Sequence, residues 1–176
     1  MKKVLLVLIT AVLFNGCLLF QKVSYEITLT GKTKGHAEIT FHDIKSDAIG
    51  NREFEEDKTA LFDYMLKSDD FVQAQADDGK EITARNLFIE DDKLTGKVTY
   101  NFTDISTVEG IQYQDGFYFL TLSPKDSVIS TNGQIVTSKE YKRILWDNTF
   151  KTLKFEMLPD VTSSDVRDLK PFLKDN

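Results

Sequence analysis

Residues 94–103 alternate without a fault: Leu94, Gly96, Val98, Tyr100 and Phe102 fall on one side, Thr95, Lys97, Thr99, Asn101 and Thr103 on the other. A period of two marks a half-buried strand, because successive side chains of extended backbone point to opposite faces. Such a strand needs partners along its edges and a layer over its apolar face. The preceding residues supply a first partner: residues 82–90 form a strand, and Asp91-Asp92-Lys93 turns the chain back into the return strand. Residues 24–30 repeat the pattern, with Tyr25, Ile27 and Leu29 on one face. Gly31 to Gly35 then makes a turn into a strand with Ala37, Ile39 and Phe41 inward.

Residues 51–67 change period. Phe54, Leu61, Phe62 and Met65 make a helical stripe, acidic residues fill the first turn, Asn51 stands where an N-cap belongs and Lys67 lies near the end. A short helix or turn is expected over 104–113, then strands at 116–122 and 127–131. Asn132-Gly133 reads as a hairpin turn. Residues 143–146 and 152–158 read as a last hairpin around Asp147-Asn148, and a short C-terminal helix is expected from Ser164, disturbed at Pro171. The predicted fold is α+β: one antiparallel sheet of hairpins, one long helix packed on it and a short C-terminal helix. An echo links Leu29-Thr30-Gly31-Lys32 and Phe41-His42-Asp43-Ile44 to Leu94-Thr95-Gly96-Lys97 and Phe102-Thr103-Asp104-Ile105. Duplication and the shared chemistry of strand ends both explain it.

The chain holds 28 acidic and 22 basic side chains, a net charge of −6. That balance repels phosphodiester backbones, so nucleic acid is excluded as a partner. Acidic clusters at 53–57, 69–70, 77–78 and 90–92 lack the alternating ligands and distal Glu of an EF-hand loop, and read as solvated faces, helix starts or turns. With three prolines and no linker-like stretch, one domain is the economical reading.

Few residues point to catalysis. His36 and His42 share the polar face of one strand roughly 20 Å apart, too far to share a metal. Glu38 beside His36 makes a conceivable acid/base pair. There is no nucleophile elbow, P-loop, zincin motif or dinucleotide-binding glycine pattern, and therefore no expected cofactor. Carboxylates suited to glycoside hydrolysis are plentiful, but nothing selects two of them. Asn101-Phe102-Thr103 matches a glycosylation triplet that strand composition explains. Thirteen Phe, six Tyr and one Trp are mostly core by periodicity and leave room for an apolar, acyl-sized cavity between helix and sheet.

The N-terminus carries the plainest signal. Met1-Lys2-Lys3 is followed by an apolar run over residues 4–14 and then by Asn15-Gly16-Cys17, the layout of a secretory signal. An uncleaved anchor over residues 4–20 is the competing reading, at the short end of what spans a bilayer. Leu13-Phe14-Asn15-Gly16-Cys17 resembles the lipobox of bacterial lipoproteins. Gly16 and Cys17 match it, while Phe14 and Asn15 depart from the usual Leu and small residue. The resemblance implies lipidation of Cys17 by diacylglycerol and cleavage before it, with palmitate among the attached chains. Cys17 is the single cysteine, so the domain has no disulfide to lean on. Cleavage would leave 160 residues, 20 basic and 28 acidic side chains, a charge near −8. Acyl chains, not charge, would then hold it at the membrane.

The expected organisation is a signal peptide at 1–16, a tether at 17–22 with Leu18, Leu19 and Phe20 near the interface, and one domain over 23–176. Leu18, not Asp, after the cysteine favours the outer membrane in a Gram-negative cell. Pro124, Val128, Asn132-Gly133 and Ile144-Leu145-Trp146 also resemble the closing segment of LppM-type bacterial lipoproteins, with Lys125 departing from the usual Gly. That resemblance implies a helix-on-sheet domain associated with envelope lipid. The expected function is a non-catalytic envelope lipoprotein, membrane-anchored and binding a lipid or protein partner close to the bilayer. The alternative is a lipid-anchored hydrolase with a carboxylate site.

Overall fold

The computed structural model describes residues 18–158 and 166–173. The signal peptide at 1–16, Cys17 and Ser164 lie outside the described residues. In chain order the strands are β1 (Leu18–Leu19), β2 (Lys22–Leu29), β3 (Gly35–His42), β4 (Lys45–Ser46), β5 (Lys80–Glu90) and β6 (Lys93–Phe102). They continue with β7 (Gln112–Gln114), β8 (Phe117–Leu122), β9 (Ser127–Thr131), β10 (Gln134–Thr137), β11 (Lys142–Asp147), β12 (Thr152–Leu158) and β13 (Arg167–Asp168). The helices are α1 (Asn51–Lys58), which runs on through a π-helical stretch (Thr59–Met65), and α2 (Asp69–Asp77).

The expected single sheet under a long helix is corrected: there are three antiparallel sheets. Six strands run in the order β5-β6-β3-β2-β12-β9, four in the order β10-β11-β8-β7, and three in the order β1-β4-β13. The apolar face of the six-stranded sheet is covered mainly by the four-stranded sheet, and the helical segment packs only over Phe41, Leu87 and Leu94. Val23, Ile27, Ala37, Ile39, Tyr100 and Phe102 from the first meet Tyr118, Leu120, Leu122, Ile144 and Trp146 from the second in one core cluster. The helix-on-sheet architecture implied by residues 124–146 is replaced in the same way. The physical reason is that β8 and β11 each carry an apolar row of their own, and two half-apolar sheets bury most by facing each other.

Two expected hairpins are corrected at the same corner. β9 and β10 flank Asn132-Gly133 yet belong to different sheets, as do β11 and β12 around Asp147-Asn148. Asn132 works as a clamp between the layers. Its Oδ1 accepts from Trp146 Nε1 and from the Lys154 backbone N–H, both at 2.8 Å, and its Nδ2 donates to the Thr152 carbonyl at 2.8 Å. Gly133 is required beside it, since a Cβ there would stand 2.6 Å from Trp146 Nε1.

The helical segment covers a second, smaller core built from Ile44, Ala48, Phe54, Leu61, Leu94 and Leu169. Gly96 lets Ile44 approach β6, because a Cβ there would lie 2.9 Å from Ile44 Cδ1. Asn51 does not cap α1; Gly50 holds the N-cap position without a side-chain hydrogen bond. The segment breaks at Ser68, whose hydroxyl caps α2. Arg85 of β5 satisfies carbonyls left over at that break, donating to Met65 O at 3.1 Å and Ser68 O at 2.9 Å. The expected C-terminal helix is a single 3-10 turn, Lys170–Phe172.

The expected tether is also corrected from residue 18 onward. Leu18 pairs with Ser46 and Leu19 with Lys45, Leu19 is buried, and the Phe20 ring lies 4.9 Å from that of Phe41. These side chains find burial in the protein's own small core, which the sequence could not place beside them.

Candidate functional site

The outer face of the six-stranded sheet is polar and hollow. A groove of about 470 Å3 there is lined by Ser24 and Glu26 of β2, Glu38, Thr40 and His42 of β3, Lys97 of β6, and Lys154 and Glu156 of β12. Phe88 and Glu90 of β5 and Ser130 of β9 close its two sides. The alternation that sends Ile27 and Ile39 inward necessarily sends these residues outward. Thr95 shares this outer face yet is buried; its register partner Phe88 stands beside it.

One row of the groove is a line of charge across four strands. Glu26 and Glu38 are register partners on β2 and β3. Like charges placed opposite repel, and a lysine on each flank relieves it: Lys154 Nζ is 2.8 Å from Glu26 and Lys97 Nζ is 2.8 Å from Glu38. This is the nearest approach to the carboxylate pair a glycoside hydrolase needs. Each of the two carboxylates is already in an ion pair, Glu26 with Lys154 and Glu38 with Lys97.

The second row centres on Glu156. Its carboxylate accepts from Lys22 Nζ at 2.8 Å, from Ser24 Oγ at 2.9 Å and from Ser130 Oγ at 2.9 Å. The hydrogen bond from Lys22 leads in pulling its pKa down to about 2. Ser24 Oγ also lies 2.9 Å from His42 Nε2, and His42 Nδ1 lies 3.7 Å from Glu90. Serine, histidine and glutamate in that order suggest a nucleophilic triad, but Glu156 competes for the serine proton. Ser24 has one hydrogen for two acceptors: given to Glu156, it leaves Nε2 of His42 as the donor to Ser24 and Nδ1 bare towards Glu90. Burial first, then Lys22, lowers the His42 pKa, which favours this neutral form. A triad needs the opposite tautomer, with Nδ1 donating to the acid and Nε2 free to take the serine proton. β2 is moreover paired on both sides at Ser24, so its ladder consumes the backbone N–H groups that an oxyanion would need.

His36, offered by the sequence with Glu38, is exposed at the far end of β3 and lines no part of the groove. Glu156 was invisible in the sequence, because its place beside Ser24 depends on β12 pairing with β2 across 132 residues. On the inner side, Tyr25 stacks on Phe155 with centroids 4.4 Å apart and meets Glu109. Glu109 is exposed over much of its surface, yet the protein around its carboxyl raises that group's pKa, with Lys80 and the Tyr25 hydrogen bond opposing. Burial raises the Tyr25 and Tyr100 hydroxyls as well. Among the described residues no group of three His, Cys, Asp or Glu is placed to hold a metal ion. No described helix is long and apolar enough to cross a membrane.

No protein-family model, curated protein or solved structure matches this chain.

The three-stranded sheet has its own character. In it, Ser46 stands between Leu18 and Arg167. Ser46 Oγ donates to Asp57 Oδ2 at 2.5 Å, and Asp57 is 1 % exposed, a carboxylate buried with a hydroxyl partner. Burial raises its pKa, with the Ser46 hydrogen bond opposing. The pair fastens β4 to α1 directly beside the strand that follows Cys17.

Proposed function

We propose that this chain is a lipid-anchored, non-catalytic binding protein of the bacterial cell envelope, facing the periplasm or exterior, whose polar groove takes a partner close to the bilayer. The observation that carries the non-catalytic half is the Ser24–Glu156–Lys22 network, in which a carboxylate competes for the proton of the only serine beside a histidine in the groove. The anchored half rests on the apolar run over residues 4–14 and the Asn15-Gly16-Cys17 that follows it, with Cys17 the sole cysteine of the chain. Leu18 is already paired in β1, so lipid on Cys17 would be one peptide unit, about 3.8 Å between Cα atoms, from the fold. The domain would then ride on the membrane surface instead of reaching away from it.

The groove's fixed charges favour a polar partner carrying both signs, such as a segment of an envelope protein. An acyl ligand finds less support: the space between the two large sheets is filled by Tyr118, Trp146, Phe155 and their neighbours. Labelling with radioactive palmitate tests the anchor. The unsubstituted chain should incorporate label and Cys17→Ala should not; equal labelling of both removes the reading. A serine hydrolase, a different reading from the carboxylate-site hydrolase that the sequence offered as the alternative, has one favourable contact, Ser24 to His42. A fluorophosphonate probe that labels the chain, and loses that labelling in Ser24→Ala, would establish it over the present proposal.

A further inference from the structure

Ile49 is 91 % exposed, the most exposed large apolar side chain among the described residues. A loose loop would make this unremarkable, but the loop from β4 to α1 is fixed on both sides of it. Ser46 is buried and bonded to Asp57, the Ala48 N–H donates to Ser46 Oγ at 3.1 Å, and Ala48 itself is buried. On the other side, Arg167 Nη1 donates to the Gly50 carbonyl at 3.2 Å while its guanidinium lies 3.6 Å from the centre of the Phe54 ring. Ile49 is thus held outward by neighbours that are held in place.

Its position narrows what could cover it. Leu18, the first described residue, is the register partner of Ser46, three residues before Ile49. Arg167 is the partner of Ser46 on the other side, and Val166 next to it is also exposed. The point where the chain comes in from Cys17 therefore shares one end of the fold with two projecting aliphatic side chains. Asp47, Arg52, Glu53, Glu55 and Glu56 are on the same loop and helix start, so the charge there is net acidic and any membrane contact must come from the aliphatic side chains and the anchor.

The geometry points to the lipid bilayer as the occupant of this end: Ile49 and Val166 enter the interfacial region beside the acyl chains on Cys17, fixing how the domain sits on the membrane. The inference rests on the lipoprotein reading. One short acyl anchor leaves a domain free to roll, whereas an anchor flanked by inserted aliphatic side chains selects one face.

The test uses the full, lipidated chain in phosphatidylcholine–phosphatidylglycerol vesicles, with and without brominated acyl chains. Ile49→Trp is at an exposed position and leaves the core untouched, and Trp146, buried in the sandwich, gives a constant background. The emission added at position 49 should shift to the blue and fall at least two-fold with brominated lipid. Tryptophan at Ile135, exposed on β10 of the four-stranded sheet, should do neither. An unquenched Ile49→Trp in protein that still floats with the vesicles overturns the inference and leaves the anchor standing; a protein partner is then the remaining cover for Ile49. Absence of an acyl mass on Cys17 overturns the anchor and this inference together.

Discussion

The sandwich and the small end that begins at Leu18 both have apolar cores, but they hold their strands differently. In the sandwich, large side chains are buried outright: Trp146, Phe155, Ile27, Ile144 and Leu153 are each at most 1 % exposed. Every strand there is long enough to be held by its ladders. At the small end the strands are two residues long. Beside the small core around Ile44, Leu94 and Leu169, they are held by a buried Ser46–Asp57 hydrogen bond and by cations over rings, Arg167 on Phe54 and Lys58 on Phe172 at 4.0 Å. Apolar burial is non-directional and scales with area, so it makes a stable body without dictating where a loop points. Hydrogen bonds and ring contacts are directional, and they fix Ile49 and Leu18 in place. The difference teaches that the bulk of the stability and the bulk of the positioning reside in separate parts of the chain.

The sharpest way to break this comparison is to remove the largest buried side chain of the sandwich. Trp146→Ala should cost about 3–5 kcal/mol in urea unfolding, the range for emptying a large aromatic site. Asn132→Ala removes no apolar volume but leaves Trp146 Nε1–H and the Lys154 N–H without their acceptor. It should cost about 1–3 kcal/mol. Asn132→Asp keeps the acceptor but sets a carboxylate oxygen against the Thr152 carbonyl, so it should not restore full stability. An Asn132→Ala variant as stable as the unsubstituted protein would leave the corner clamp without a role.

The same corner shows why part of the fold was legible in the sequence and part was not. The alternation in residues 24–30 and 94–103 placed their inward and outward faces well, because period two is a local property; Thr95 is the exception. Helical periodicity over 51–67 likewise found the segment that is helical, though not its π stretch or the Gly50 cap. Asn132-Gly133 carried the sequence signal of a tight hairpin, and the chain does turn there. What the dipeptide could not report is that Asn132 spends its side chain on Trp146 and Lys154, so that the strands on either side leave for different sheets. Sheet membership is decided by contacts far away in sequence. So is the groove: Ser24 and His42 were visible as polar-face residues, but their meeting with Glu156 required β12 to join β2. Leu18 and Leu19 looked like a greasy tether, since their burial depends on β4 and on the small core under α1.

At the small end the comparison is sharpened by Asp57. Ser46→Ala removes the one hydroxyl bonded to a carboxylate that is out of water, and should cost about 1–3 kcal/mol at neutral pH. Asp57→Asn, which removes the buried charge and keeps a side chain of the same shape, should be neutral or stabilising. The pH dependence has a definite sign. The folded-state pKa of Asp57 is raised, so the folded protein binds that proton more tightly than the unfolded chain does. Its favourable contribution is therefore full below the ordinary aspartate range and fades as pH rises through the folded value. Relative to Asp57→Asn, the unsubstituted protein should lose stability between acid and neutral pH. A difference that stays flat with pH, measured by urea unfolding at several values, would show that Asp57 is not a buried charge.

The smallest effects belong to the outer face of the sandwich, where charges are partly solvated. Glu156 is the reverse of Asp57: its pKa is pulled down to about 2, so its contribution is full above the ordinary glutamate range and is lost as pH falls towards 2. With side-chain exposures of 35 % for Lys22 and 27 % for Glu156, Lys22→Ala should cost only about 0.2–1 kcal/mol. The informative readout is His42. Lys22 is among the groups that lower its pKa and Glu156 among those that raise it. Lys22→Ala should therefore move the His42 titration upward, and Glu156→Gln should move it further down, both followed by NMR of the imidazole ring. Opposite shifts tie Lys22, Glu156 and His42 into one network on the groove floor, whereas two variants that leave the His42 titration in place would reduce that floor to independent surface pairs.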